Sequence, residues 1–239
     1  MEGKLESRIS KGGQSLEFLE ENFDSGPYND VVYVSANPYT GKIDTEFFEL
    51  INVWDSGWNS KYQTVLPETV TQAAIEAHEK YPNKRLIVHY MQPHLPFIGE
   101  QGMEYRRTYG LDDPEGDTSL SVGPALHYGL TDITTEEAWN GYIENLSIVL
   151  DSVAELLDAV DGKSVLTADH GELFGEWIGP VPTPMYGHTP EIRKEELVKV
   201  PWFKPEFESR REIVEGSSTQ TADSDPAPTK DRLRDLGYL

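Results

Sequence analysis

The sequence contains no cysteine among its 239 residues. This absence excludes a disulfide framework, a thiolate nucleophile and a zinc site built from cysteine ligands. No stretch approaches the roughly 20 consecutive apolar residues of a membrane-spanning helix. The first fifteen residues are polar and lack the apolar run of a signal peptide. We therefore expect a soluble, cytoplasmic protein that has no membrane partner.

Basic residues are also scarce. The chain has 20 lysines and arginines against 42 aspartates and glutamates, which gives a formal net charge of -22. Such a charge repels nucleic-acid phosphates and anionic lipids, so neither is an expected partner. The acidic residues are spread along the chain and do not form an acidic tail. This pattern is typical of a halophilic protein with an acidic surface, in which salt screens the repulsion. An acidic protein from a low-salt environment is the alternative.

Apolar runs that alternate with helical patterns predict an α/β fold. We expect buried strands at 31–36, 86–90 and 165–168, because each run is short, apolar and bounded by turn residues. Helices are expected at 67–80 and at 135–160, and the second opens with the pattern of a capping box. This alternation predicts a three-layer α/β/α arrangement with one mainly parallel sheet that contains all three strands.

Composition predicts one domain followed by a tail. Residues 1–215 are expected to form the α/β domain, and 216–230 a flexible linker, because that stretch is rich in Ser, Thr, Asp and Pro. Residues 231–239 contain enough apolar side chains to form a short carboxyl-terminal helix or tail. Residues 99–130 show no clear periodicity, which is typical of a functional lid or a variable insertion.

The motif most indicative of chemistry is Asp169-His170-Gly171-Glu172, directly after the third predicted strand. In open α/β sheets, ligands bind at loops that follow the carboxyl ends of strands. An adjacent aspartate and histidine offer one hard oxygen and one imidazole nitrogen, a usual pair for a divalent cation. The alternative is that Asp169 caps a helical turn and that His170 is an ordinary loop histidine.

Two further histidines lie in loops that could reach the same place. His94 follows the second predicted strand and is flanked by Pro93 and Pro96, which stiffen the loop and restrict where the histidine points. His188 follows Gly187 after a stretch broken by prolines. For His94 the alternative is a hydrogen-bonded structural histidine.

The order of these motifs resembles the carboxyl-terminal part of the sulfatases, within the alkaline phosphatase superfamily. Sulfatases have there a strand, then Asp-His-Gly-Glu, then Gly-His, and then a short strand that ends in Val-Pro, as residues 200 and 201 do here. Upstream they have a His/Pro loop similar to residues 89–96. The resemblance implies an alkaline phosphatase/sulfatase-like fold, truncated at the amino terminus.

The resemblance also implies a function, the metal-dependent hydrolysis of a sulfate or phosphate ester. Asp169 and His170 would be ligands of a divalent metal ion such as Ca, Mg, Mn or Zn. His94 and His188 would act as catalytic residues that contact the anion, or would complete the metal site. The cation polarises the ester oxygens, and histidines stabilise the charge that develops on them. The partner would be an anionic small-molecule or glycan ester.

The chain departs from the sulfatase pattern at its beginning. Sulfatases have a strand that ends in acidic metal ligands, followed by a Cys, Ser or Thr nucleophile at a helix start, and the residues before Asp30 lack this pattern. Ser15 begins a predicted helix, where its default role is an N-cap and its other role is that of a substitute nucleophile. Two hypotheses follow: a reduced metal-dependent ester hydrolase, or a catalytically inactive sulfatase-like binding or interaction module. The oligomeric state stays open.

Overall fold

The structure, a computed structural model, describes residues 1–111, 122–179, 183–218 and 226–236 of a mixed α/β chain. The strands are β1 (Gly3–Ile9), β2 (Tyr28–Ser35), β3 (Phe47–Asn52), β4 (Trp58–Asn59), β5 (Thr64–Val65), β6 (Arg85–His89), β7 (Leu166–Thr167), β8 (Leu173–Trp177), β9 (Pro184–Gly187) and β10 (Lys199–Pro205). The helices are α1 (Ser15–Phe23), α2 (Val53–Ser56), α3 (Pro67–Lys80), α4 (Glu100–Tyr109), α5 (Val122–Tyr128), α6 (Thr135–Ala159), α7 (Glu195–Val198) and α8 (Pro226–Asp235), with a 3₁₀ turn at Pro38–Gly41.

A parallel sheet of three strands forms the centre of the fold, in the order β3-β2-β6. Successive side chains of β2 point to opposite faces. Val32 and Val34 pack with α3 and α6, whereas Val31 and Tyr33 pack with Leu19 of α1. Each fully buried aliphatic side chain of this kind stabilises the fold by about 1.5–3 kcal/mol. The strands predicted at 31–36 and 86–90 therefore share one parallel sheet.

The third predicted strand does not join that sheet. β7 is two residues long and pairs antiparallel with β10, which also pairs antiparallel with β1. Leu166 and its neighbours are half-buried or exposed, not buried on both faces. The prediction of one mainly parallel sheet holding all three strands is therefore wrong. An apolar run predicts that a strand forms, but it carries no information on which edge the strand pairs with.

The two long helices agree with the sequence. α3 has the predicted bounds, and Thr134 and Glu137 form the predicted capping box at the start of α6. Not all apolar side chains of α6 are buried, since Trp139 and Ile143 are 46% and 42% exposed. Small residues such as Ala138 and Gly141 lie on the buried face, where Phe97 packs closely against them. Among the described residues, no helix is long and apolar enough to cross a membrane.

The end of the chain packs on the parallel sheet. Gly216 N donates to Asn29 O at 3.1 Å, and Ser218 Oγ donates to Phe47 O at 2.9 Å. Part of the expected linker, residues 219–225, lies outside the described residues. α8 begins at Pro226, inside that expected linker, and its Leu233 is fully buried against the face of the sheet that α1 covers. Residues 226–230 are therefore helical, and the composition placed the helix start too late.

Candidate metal and nucleophile site

Four segments of the chain meet at the site: the start of α1, the loop after β6, the loop between β7 and β8, and the loop after β9. The ring centroids of His94 and His188 are 4.9 Å apart, and those of His170 and His188 are 4.4 Å apart. Asp169 Oδ2 lies 3.6 Å from His170 Nε2. The structure thus brings together the four residues that the sequence singled out, and it adds Ser15 to them.

Three of the side chains form a group that could hold a metal ion. One nitrogen each of His94 and His188 and one carboxylate oxygen of Glu172 lie within 4.8 Å of one another. The three side chains are only 16%, 6% and 11% exposed, respectively. Among the described residues this is the one such group of three or more His, Cys, Asp or Glu side chains. Two histidines and one glutamate also form the ligand set of several catalytic zinc sites.

The backbone orients His94 within this group. Its Nδ1 lies 2.9 Å from Leu95 O, so Nδ1 carries the proton and donates to that carbonyl. Nε2 is then the acceptor nitrogen, and it lies 3.9 Å from Glu172 Oε2. A backbone carbonyl that sets the tautomer in this way is common behind metal-binding histidines.

Charges within the group are set by burial and by its own members. Burial by itself would raise the pKa of Glu172, but the charges of His188 and His94 outweigh it and lower this pKa to about 2. Burial lowers the pKa of His94 by more than Glu172 raises it. For His188 burial acts in the same direction, but Glu172 prevails and raises the pKa. At neutral pH the group therefore contains a carboxylate and a neutral His94, both in the form that binds a cation.

Ser15 forms a second centre with Asp169 and His170. Its Oγ donates to Asp169 Oδ2 at 2.6 Å and lies 3.3 Å from His170 Nε2. The prediction that Ser15 is an N-cap is wrong: Gln14 occupies the N-cap position, and Ser15 is the first residue of α1. The side chain of Gln14 makes no capping hydrogen bond to the described residues. The Ser15 hydroxyl is therefore directed across the site and does not cap its own helix.

Close backbone contacts hold α1 against the site. A Cβ atom on Gly13 would clash with Ile192 O, so only glycine fits there. Glu17 links the same two loops, because its carboxylate accepts from Gly13 N at 2.9 Å and from Glu191 N at 2.5 Å. These contacts join the segment that carries Ser15 to the loop that follows His188.

Asp169 has three polar neighbours at the site. Oδ1 accepts from His170 N at 3.0 Å, and Oδ2 lies 3.5 Å from His89 Nε2 in addition to its bond with Ser15. Burial would raise the pKa of this carboxyl, but the charge of His170, the contact with His89 and the Ser15 hydrogen bond together hold the pKa far below its usual range. Asp169 is therefore a permanent carboxylate that orients its neighbours.

The structure groups the candidate residues differently from the sequence prediction. Asp169 and His170, which were expected to be metal ligands, surround Ser15. His94 and His188, which were expected to contact an anion or to complete the metal site, lie with Glu172. Sequence reasoning gave no role to Glu172 beyond added acidic charge, although its place three residues after Asp169 was visible. It also gave no role to His89, which ends β6.

Comparisons of the sequence with protein-family models and with curated proteins identify no family for this chain. No protein-family model matches the chain. No curated protein is significantly similar to it. The function of this chain is therefore inferred from the geometry of the site.

Proposed function

We propose that this chain hydrolyses a sulfate or phosphate ester, with Ser15 as the nucleophile and a divalent cation held by His94, Glu172 and His188. The observation that carries the proposal is the position of the Ser15 hydroxyl. It lies at the start of α1, within hydrogen-bond reach of both Asp169 and His170, and next to a partly buried group of three potential metal ligands.

His170 is the base in this proposal. Its Nδ1 donates to Gly171 O at 2.7 Å, so Nε2 is the nitrogen that faces Ser15 Oγ and accepts its proton. Asp169 orients the hydroxyl and balances the positive charge that His170 gains. The Ser15 oxygen then bonds to the sulfur or phosphorus atom, the ester bond to the alcohol breaks, and the alcohol leaves with the proton from His170. A water molecule, whose proton His170 accepts, next attacks the same sulfur or phosphorus atom. The bond to Ser15 then breaks, Ser15 regains its proton, and phosphate or sulfate is released. The amino-terminal end of α1 favours negative charge on the attacking oxygen.

The residues present fit a divalent cation. They supply one ionised carboxylate and two imidazoles, and imidazole suits zinc better than calcium or magnesium, which prefer oxygen ligands. Such a cation would polarise the ester and neutralise charge on its oxygens. We therefore propose zinc from among the four candidate ions. Three protein ligands leave a position open for the substrate, as in catalytic zinc sites.

A relation to the sulfatases, which have a three-layer α/β/α fold, is part of the same proposal. It is supported by the order of the site segments along the chain. His94 follows β6, Asp169 and His170 follow β7, and His188 follows β9. The substrate in this proposal is an anionic small-molecule or glycan ester, whose negative charge the cation would offset on an otherwise acidic protein.

A catalytically inactive binding module is the second candidate. It is favoured because polar groups of the site contact one another: Ser15 donates a hydrogen bond to Asp169, and His188 Nδ1 lies 3.4 Å from Glu172 Oε1. The side chains of His170 and His188 are only 8% and 6% exposed. A site of this kind could hold a cation without admitting an ester.

Steady-state hydrolysis of p-nitrophenyl phosphate and p-nitrophenyl sulfate by the zinc-loaded protein separates the two candidates. We expect turnover of at least one ester by the wild-type protein and a loss of about 10³-fold or more in Ser15→Ala, because the covalent step needs its oxygen. Ser15→Ala should keep its zinc. Zinc binding without turnover of either ester would favour the binding module, and undiminished turnover in Ser15→Ala would remove Ser15 from the mechanism.

A further inference from the structure

We infer that Tyr33 is a positioning residue for Ser15, because its hydroxyl holds His89 and His89 in turn holds the carboxylate that orients the serine. This inference rests on the proposed function for its effect on turnover. The arrangement of hydrogen bonds that it predicts can be tested without any turnover.

Tyr33 begins a line of polar contacts that runs from the centre of the parallel sheet to α1. It lies in β2, is 1% exposed, and places its hydroxyl 3.0 Å from His89 Nδ1. β2 and β6 pair in parallel, with Ser35 opposite His89. The other nitrogen of His89, Nε2, lies 3.5 Å from Asp169 Oδ2, which accepts from Ser15. Each side chain of this line thus contacts the next, in the order Tyr33, His89, Asp169 and Ser15. They come from β2, β6, the loop after β7 and α1.

The direction of each hydrogen bond follows from what each group can donate. An ionised Asp169 can only accept, so His89 must present Nε2–H to it. In a neutral imidazole the other nitrogen, Nδ1, is then an acceptor, and the Tyr33 hydroxyl must be its donor. Burial, followed by the charge of Asp169, raises the pKa of Tyr33 above its ordinary value. The hydroxyl therefore keeps the proton that this arrangement requires.

Loss of the Tyr33 hydroxyl leaves His89 Nδ1 without this donor in a buried position. The imidazole can then rotate or exchange its tautomer, and Asp169 Oδ2 loses one of the contacts that hold it under Ser15. Two residues, His89 and Asp169, separate Tyr33 from Ser15, so Tyr33 should affect the rate of the chemical step and not the binding of the ester. This separates it from a residue that touches the substrate.

The tautomer of His89 in the wild-type protein is the first test. The full chain labelled with ¹⁵N-histidine is measured by NMR at mildly alkaline pH, and His89 is assigned by its loss in His89→Ala. We expect Nε2 to carry the proton and Nδ1 to accept a hydrogen bond. A His89 ring with its proton on Nδ1 would require Tyr33 to accept instead, and would overturn the inference whether or not the protein is an enzyme.

The second test compares the hydroxyl of Tyr33, buried in β2, with that of Tyr90, which directly follows β6 and is partly buried. Tyr33→Phe removes the bond to His89, whereas the control Tyr90→Phe removes a bond of 2.8 Å to Thr71, away from the site. With p-nitrophenyl phosphate and sulfate as probes, we expect Tyr33→Phe to lower kcat about five- to tenfold at unchanged KM, and Tyr90→Phe to leave kcat unchanged.

A double-mutant cycle shows whether Tyr33 acts through His89. We expect Tyr33→Phe to cause no further loss of kcat in the His89→Ala background. An equal loss in both backgrounds, or an equal effect of Tyr90→Phe, would overturn the inference and leave Ser15 as the nucleophile. Absence of turnover in the wild-type protein would instead contradict the proposed function, and the NMR measurement would still decide the tautomer.

Discussion

Glu172→Gln is the substitution whose effect on stability can be worked out most directly from the structure. The side chain keeps its shape and loses only its charge, and it lies between His188 and His94 at 11% exposure. The folded protein lowers the pKa of this carboxyl from 4.5 to about 2. At 1.36 kcal/mol per pH unit, this difference corresponds to up to about 3 kcal/mol of stability.

The sign of this contribution determines the pH at which it appears. Because the pKa is lower in the folded state, the stabilisation is fully present above the unfolded value of 4.5 and is lost as the pH falls towards 2. At pH 6 the raised pKa of His188 also keeps that partner protonated. The free energies of unfolding of the metal-free wild-type protein and of metal-free Glu172→Gln should therefore differ most near pH 6 and become equal in strong acid.

Urea unfolding of the metal-free wild-type protein and of metal-free Glu172→Gln at pH 6 measures this difference in the free energy of unfolding. The control is Glu195→Gln, the same chemical change at a side chain that is 70% exposed and paired with Lys199, where a surface ion pair adds little to stability. We expect Glu172→Gln to lose about 2–3 kcal/mol. A loss no larger than that of the control, or a loss that persists unchanged at pH 3, would refute the electrostatic description of the site.

Two further predictions concern the surface and the metal. The unfolding temperature should rise from low to molar KCl, because salt screens the repulsion within a chain of net charge -22; a flat or falling midpoint in thermal melts would contradict the halophilic interpretation. In calorimetric titrations Asp169→Asn should keep the zinc affinity of the wild-type protein, whereas the zinc affinity of Glu172→Gln should fall at least about tenfold. The reason is that only Glu172 belongs to the ligand group. A larger loss of zinc affinity in Asp169→Asn than in Glu172→Gln would restore Asp169 and His170 as the metal ligands.

Local patterns in the sequence were sufficient for the elements that depend on local chemistry. The bounds of α3 follow from Pro67 at its first position, and the start of α6 follows from the capping pair Thr134 and Glu137. β2 and β6 follow from short β-branched runs. The pairing of β7 could not be predicted, because Phe203, its partner across the antiparallel pair, is remote in sequence and carries no local signal.

The sequence indicated that four of these residues lie close together, but not which of them lie beside Ser15 and which beside Glu172. His94, Asp169, His170 and His188 come from loops at strand ends, and general rules for α/β sheets gather such loops together. Which of them faces Ser15 depends on the clash that keeps position 13 a glycine and on carbonyls that set the histidine tautomers. Those contacts join segments that are far apart along the chain, so no pattern of spacing reveals them.

Trapping of the covalent intermediate shows directly whether Ser15 is the nucleophile. The zinc-loaded protein is mixed with p-nitrophenyl phosphate or p-nitrophenyl sulfate, quenched in acid within the first turnovers, digested and examined by mass spectrometry. We predict that one phosphoryl or sulfuryl group is attached to Ser15, and that Ser15→Ala, which retains the ligand group of His94, Glu172 and His188, acquires none. Turnover with no group on Ser15, or with the group on another side chain, would contradict the account.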